Sequence, residues 1–234
     1  MRKLKVWARF FLNNYILNQR AYSQLGEDMV MSQWLDGIKK GFYVEIGSHD
    51  PMFSNNTYFF YKKGWSGVCV EPDPDKCQLI KAIRRRDTVV NAAIAPTEGM
   101  QKFYIFKPDA ISTLVESSVE AFKKLGFKVI GERMVKTMPL KSLLERYAAG
   151  RDIDILSVDA EGYDMEILQS NDWEKFRPKL VMAEILLYRQ GKNIRVSKEF
   201  DAFFQSHNYM KIADSYLNGI YLDKIWAEKQ GLDA

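Results

Sequence analysis

The residues able to do chemistry lie in four acidic stretches: Glu45-Ile46-Gly47-Ser48-His49-Asp50, Glu71-Pro72-Asp73, Asp159-Ala160-Glu161-Gly162-Tyr163-Asp164, and Glu184. Each closes a short apolar run. A buried parallel strand that stops on an acid presents it to the crevice at the carboxyl edge of an open sheet. Glu71 follows Gly47 at roughly the 20-residue spacing at which a ribose-binding carboxylate follows a glycine turn. Gly47 permits that turn and a close backbone approach to a ligand. Two of the three glycines of a pyrophosphate-cradling GxGxxG loop are missing, so a nucleoside without pyrophosphate fits better than a nicotinamide or flavin dinucleotide. Three carboxylates between Asp159 and Asp164 exceed what solvation requires, and Asp159 and Glu161 read as functional. Asp164 reads as compensation for a helix dipole.

The elements that must carry these residues alternate strand and helix. Strands are predicted over 42–46, 68–71, 88–93, 152–159 and 179–185, and a closing hairpin over 209–213 and 219–222. A helix enters through Gly26-Glu27-Asp28; Ser23, Gln24, Glu27 and Asp28 either cap it or face a ligand, and spacing leaves both open. Ser54 or Asn55 caps a second helix that ends at Gly64, where Tyr58 and Lys62 make a YxxxK pair that packing and exposure explain. Asp73 with Pro74 is a helix start. The small residues Ala92-Ala93 leave room for an adenine ring. Residues of about 97–138 form an insertion with extra strands over 99–106 and 132–138, joined by a segment containing Thr113, Ser117 and Ser118. Helices follow over 140–147 and from a Ser197 cap to near 206, with His207 decorating the end of the latter and given no catalytic role.

The 234 residues suit one α/β domain, residues 21–230, preceded by a basic amphipathic helix over 1–20. That helix places Leu4, Trp7, Ala8, Phe11, Leu12, Tyr15 and Ile16 on one face, suited either to a membrane interface or to docking on protein. The net charge of +4 is local to it, because Arg2, Lys3, Lys5, Arg9 and Arg20 face no acid in the first twenty residues. No nucleic-acid surface is therefore expected, and Arg84-Arg85-Arg86 reads as a solvated helix end. Cys69 and Cys77 lack CxxC spacing and read as reduced, buried thiols of a cytoplasmic protein. No apolar run approaches the roughly 18 residues of a membrane span.

YSQLGED (22–28), FYVEIGSHDP (42–51), SNNTYFFYKKGWSGVCVEPDP (54–74), ILSVDAEGYDMEIL (155–168) and RPKLVMAE (177–184) together resemble the FkbM family of S-adenosylmethionine-dependent methyltransferases. The resemblance covers nearly the whole chain after residue 20. It implies the class I methyltransferase fold, a Rossmann-like, seven-stranded and mostly parallel sheet ending in an antiparallel hairpin. It implies S-adenosyl-L-methionine as cofactor and O-methylation, commonly of a sugar hydroxyl in a glycan, glycolipid or natural product. By the same resemblance Glu45, Gly47 and Ser48 border the methionine end, Glu71 with Pro72 takes the ribose, Ala92 lines the adenine, and Asp159 lies beside the donor. A sugar hydroxyl needs a general base, for which His49, Asp159, Glu161 and Glu184 are the candidates. His49 has the naturally suitable pKa, although its loop position equally permits a structural hydrogen bond. The carboxylates also suit a divalent metal, which spacing does not demand. Two other readings stand beside this one: a non-catalytic nucleoside-binding scaffold in envelope or glycan assembly, and a nicotinamide-dependent sugar-modifying enzyme, which the missing glycines disfavour. Peripheral contact with the inner face of a membrane through residues 1–20 is a further expectation, and the oligomeric state is left open.

Overall fold

The computed structural model describes residues 21–189 and 192–232, so the helix expected over 1–20 lies outside the described residues. The chain begins with α1 (Glu27–Trp34), entered through Gly26 in the left-handed conformation. It then alternates β1 (Phe42–Ile46), α2 (Tyr58–Lys62), β2 (Ser66–Val70), α3 (Pro74–Ile83) and β3 (Thr88–Val90). The middle of the chain forms β4 (Ala93–Ile94), β5 (Gly99–Lys107), a 3-10 turn (Asp109–Ile111), α4 (Glu116–Lys124) and β6 (Lys128–Met138). There follow α5 (Leu140–Tyr147), β7 (Ile155–Val158), α6 (Asp164–Gln169), β8 (Leu180–Glu184), β9 (Leu186–Arg189), β10 (Lys192–Arg195), α7 (Ser197–Ser206), β11 (Tyr209–Asp214), β12 (Asn218–Asp223) and α8 (Lys224–Lys229).

Seven strands form the main sheet in the order β11-β12-β8-β7-β1-β2-β3. The pairs β3/β2, β2/β1, β1/β7 and β7/β8 are parallel, whereas β12 runs antiparallel to both β8 and β11. This is the seven-stranded, mostly parallel sheet with a terminal antiparallel hairpin that the class I methyltransferase fold requires. Every residue of β1 is buried because helices cover both faces of the sheet. The pleat therefore sorts its side chains by parity. Phe42, Val44 and Ile46 join one core with Val70, Leu144, Leu156 and Phe204. Tyr43 joins the other, with Met31, Phe60, Cys69, Ile80 and Met182. Glu45 shares Tyr43's face.

That parity explains Arg84. The residue is fully buried, not part of a solvated helix end. Its guanidinium donates to Glu45 Oε2 (3.0 Å), Asp87 Oδ2 (2.6 Å), Asn55 Oδ1 (3.0 Å) and Thr57 Oγ1 (2.6 Å). A carboxylate on a strand buried on both faces requires a cation there, and the chain after α3 supplies it. Both cysteines are buried free thiols.

Two local expectations are corrected. The strand expected over 88–93 divides into β3 and β4, which belong to different sheets. Asn91 separates them, its amide donating to the carbonyls of Glu71 and Pro72 (both 2.9 Å) and drawing the chain out of the main sheet. Ser197 is the first residue of α7 and follows the N-cap Val196. The segment with Ser117 and Ser118 is helical, burying Val119 and Phe122 one turn apart. Asn55, as expected, anchors the start of α2, its carbonyl accepting from the N–H groups of Thr57 and Tyr58. Strands β4, β6 and β5 form a separate three-stranded sheet beside the carboxyl edge. Among the described residues no helix is long and apolar enough to cross a membrane.

Candidate active site

Strand order reverses at β1, whose neighbours are β2 and the much later β7, and open α/β sheets bind ligands in the crevice at such a point. The loops leaving β1, β2 and β7 meet there around a cavity of about 250 Å³. Gly47, His49, Glu71, Pro72, Ala92, Asp159 and Glu161 line it from the main domain; Phe103, Asp109, Ser112, Thr113 and Leu114 line it from the smaller sheet and its connections.

Gly47 has φ 81°, and a Cβ there would lie 1.9 Å from the carbonyl oxygen of Asp159. The ends of β1 and β7 are thus pressed together at a position that no side chain can occupy. Glu71 is buried. Its Oε2 accepts from the His49 N–H (2.9 Å) and its Oε1 from the Asp73 N–H (2.8 Å). Each oxygen keeps a second lone pair, which suits a pair of neighbouring ribose hydroxyls. Burial raises the Glu71 pKa, against the pull of Lys76 and the two N–H groups. Asp73 caps α3 through the Asp75 N–H (2.8 Å), fixing the loop behind Glu71.

The opposite side of the cavity is acidic. Burial, followed by the charges of Glu45 and Glu27, pushes Asp159 up to about 6. Burial followed by Asp159 pushes Asp164 up to about 7, although the N–H groups of Ala160 and Gly162 bond its carboxylate. Burial and the acids around them raise Glu161 and Glu184 well above the ordinary carboxylate range. Lys76 is the cation that tempers Glu161. Such a cluster cannot ionise fully by itself, so a bound cation would be strongly favoured. Among the described residues, Glu184 Oε2 is buried without a hydrogen-bond partner, and no three His, Cys, Asp or Glu side chains are arranged to hold a metal ion.

The structure therefore gathers His49, Gly47, Glu71, Pro72, Ala92, Asp159 and Glu161 around one cavity and leaves three expected site residues outside its lining. Glu45 is turned to the opposite face of β1, where it pairs with Arg84, so its expected place at the methionine end is replaced by this ion pair. Ser48 is buried, its hydroxyl donating to the Glu45 carbonyl (3.3 Å). Glu184 ends β8 beyond the lining, where burial and then the charges of Glu161, Asp159 and Asp164 raise its pKa. Glu27 and Asp28 are buried in the first turn of α1 and tie it to other segments: Glu27 accepts from Ser215 and Asn218, and Asp28 from Tyr22 and Ser23. Gln24 alone of that group lines the cavity.

The sequence profile of the Methyltransferase FkbM domain matches residues 45–211. The chain belongs to the FkbM methyltransferase family. Two solved structures are similar to it. One, the methyltransferase FkbM from Methylobacillus flagellatus KT, is 10% identical with a TM-score of 0.45, and the match covers 78% of this chain and 43% of that one. The other, a candidate O-methyltransferase from Klebsiella pneumoniae, is 13% identical with a TM-score of 0.44, covering 93% of this chain and 89% of that one. This chain thus spans less than half of the Methylobacillus protein. Comparison with curated proteins gave no match. The family is one of methyltransferases, and S-adenosylmethionine is the general donor of that class. The FkbM site fits this donor: Glu71 offers free lone pairs to a ribose, and the acidic wall suits its sulfonium and ammonium charges.

Three FkbM-site residues carried no role in the sequence reading: Lys76, Asp109 and Thr113. Lys76 did leave a signal, since a lysine in the first turn of a helix opposes the helix dipole unless acids compensate it. Asp109 and Thr113 left none, because only the fold of the smaller sheet brings them to the cavity.

Proposed function

We propose that this enzyme methylates a hydroxyl of a carbohydrate, borne by a glycan, glycolipid or natural product. The observation that supports the reading is one cavity with a ribose-type carboxylate, Glu71, on one side and the Asp159–Glu161 carboxylates on the other. Bound there, the donor supplies a methyl group on a cationic sulfur. Glu71 with Pro72 would hold its ribose, Ala92 its adenine, and the backbone at Gly47 its methionine end. Asp159 and Glu161 accept hydrogen bonds from acceptor hydroxyls and favour the cationic donor electrostatically. Holding the hydroxyl in line with the methyl carbon supplies much of the rate.

Calorimetry with S-adenosylhomocysteine tests the donor side: Glu71→Ala is expected to weaken binding about 10- to 100-fold, the loss of a charge-assisted bidentate contact. Unchanged affinity refutes the assignment of the ribose site. Transfer of a labelled methyl group across a glycan panel, with mass spectrometry of cellular glycans for a lost methyl group, tests the acceptor. Tight donor binding with no transfer to any carbohydrate would favour the scaffold reading instead. We also propose that residues 1–20 hold the enzyme at the cytoplasmic face of a membrane, the location of a glycolipid acceptor.

A further inference from the structure

His49 stands at the meeting of three elements. Its backbone, at φ 43°, donates to Glu71 at the end of β2. Its ring Nε2 lies 3.3 Å from Oδ1 of Asp109, on the 3-10 turn of the insertion. The other oxygen of Asp109 lies 3.4 Å from Nζ of Lys76 on α3, whose side chain is only 7% exposed. Because an ionised carboxylate can only accept, Nε2 carries the hydrogen and Nδ1 presents a lone pair. Nδ1 has no hydrogen-bond partner among the described residues. All three side chains line the cavity.

We propose that His49 is the proton acceptor for the attacking hydroxyl and that Asp109, delivered by the insertion, is the residue that positions its ring. This rests on the methyl-transfer reading. As the acceptor oxygen bonds the methyl carbon, the bond from that carbon to sulfur breaks and its electron pair leaves on sulfur, giving the neutral thioether. The hydroxyl proton passes to Nδ1, and the imidazolium then releases it to water.

The charges around the ring suit this part. Burial and then Lys76 hold His49 below the ordinary imidazole value, with Asp109 and Asp50 pulling the other way; Glu71 faces its backbone N–H. The ring is neutral at pH 7, as a base must be. Burial works against the Asp109 charge, but Lys76 and His49 outweigh it and keep Asp109 ionised.

The chain has two histidines, so in a His207→Gln background His49 gives a single imidazole signal by NMR. In the S-adenosylhomocysteine complex its titration midpoint is expected below the ordinary value, lower still in Asp109→Asn, and higher in Lys76→Met. At saturating donor, the acid limb of kcat/KM for the best acceptor of the panel is expected to move down with the ring in Asp109→Asn. Asp109 is not among the charges acting on Asp159 or Glu161, so a carboxylate base predicts no such movement. His49→Gln is expected to lower kcat about 10²- to 10⁴-fold while S-adenosylhomocysteine affinity is retained. A ring midpoint that moves without the limb, a midpoint unmoved by Asp109→Asn, or a His49→Gln enzyme of near wild-type kcat overturns the proposal. So does His49→Gln losing donor affinity along with rate, which shows a structural part. A wild-type protein that methylates no acceptor defeats the methyl-transfer reading and this proposal with it, while the ring titration still reports the Asp109 contact separately.

Discussion

Replacing Arg84 by Met removes the cation from beneath the donor loop. Arg84 and its acidic partners Glu45 and Asp87 have side chains at most 2% exposed, so no solvent replaces the lost charge. Removing one member of a buried ion pair costs about 3–5 kcal/mol. The lower figure applies here, because Asp87 keeps the Tyr43 hydroxyl and the Gly67 N–H, and Glu45 keeps the Asn55 amide. In urea, with a slope of about 2–3 kcal/mol per molar for a chain of this size, the midpoint falls by about 1 M. Adding Glu45→Gln removes a charge that has lost its partner, so the double variant is expected to recover about 1 kcal/mol or more over Arg84→Met. The loss also reaches function. Asn55, which Arg84 holds, donates to the carbonyls of Ser48 and Asp50 on either side of His49, so S-adenosylhomocysteine affinity should weaken in the folded variant. A midpoint within about 0.3 M of wild type, or a Glu45→Gln change that costs as much without Arg84 as with it, refutes the reasoning.

Gly47→Ala forces a Cβ into the Asp159 carbonyl and is expected to abolish S-adenosylhomocysteine binding by calorimetry or to prevent folding; a soluble variant that binds normally contradicts the contact. Asp159 and Asp164 rise from 3.8 to about 6 and about 7 on folding. The folded chain therefore binds more protons than the unfolded one, and stability falls as pH rises through that window. His49 opposes this, since its lowered pKa favours the folded state as pH rises, but it is one group against six raised acids, Asp28, Glu71, Asp159, Glu161, Asp164 and Glu184. The melting temperature without donor should drop by about 5 °C between pH 5.5 and 8, and S-adenosylmethionine should flatten the drop; a flat or rising profile without donor refutes it. Deleting residues 1–20 is expected to reduce binding to anionic liposomes while sparing donor affinity by calorimetry. A truncated protein that loses the donor shows instead that this segment belongs to the fold.

The sheet was legible in the sequence because parallel strands buried on both faces are continuous apolar runs, and their acidic ends mark the carboxyl edge. Glu71 and Asp159 could be placed at the cavity on that basis alone. Glu45 could not, because it lies within β1, where every residue is buried, whereas Glu71 and Asp159 stand just beyond the ends of β2 and β7, and the motif does not state where the strand stops. The partner of Glu45 looked like one of three surface arginines, yet a carboxylate inside a fully apolar strand already demanded a buried cation. The break at Asn91 depended on side-chain bonds to a neighbouring strand end. Asp109 reaches His49 across 60 residues of chain, a distance over which local pattern carries no information.

The cavity has two walls of different origin. The main sheet supplies Gly47, Glu71 and Asp159, locked by the contact between the ends of β1 and β7, whereas the smaller sheet reaches across through Asp109 to His49 and through Thr113 to the Glu161 carbonyl (3.1 Å). The smaller sheet meets the main domain also through Arg133 to Asp73 (3.4 Å) and through Ile94 and Met138, which join the core of the main sheet. The acceptor side can therefore change with the insertion only while the contacts that tie it to His49, Lys76, Asp73 and Glu161 are kept. An engineer can graft a foreign segment between β4 and α5 to recruit new acceptors onto an unaltered methyl-donor chassis, provided that those contacts are kept, an aspartate opposite His49 among them.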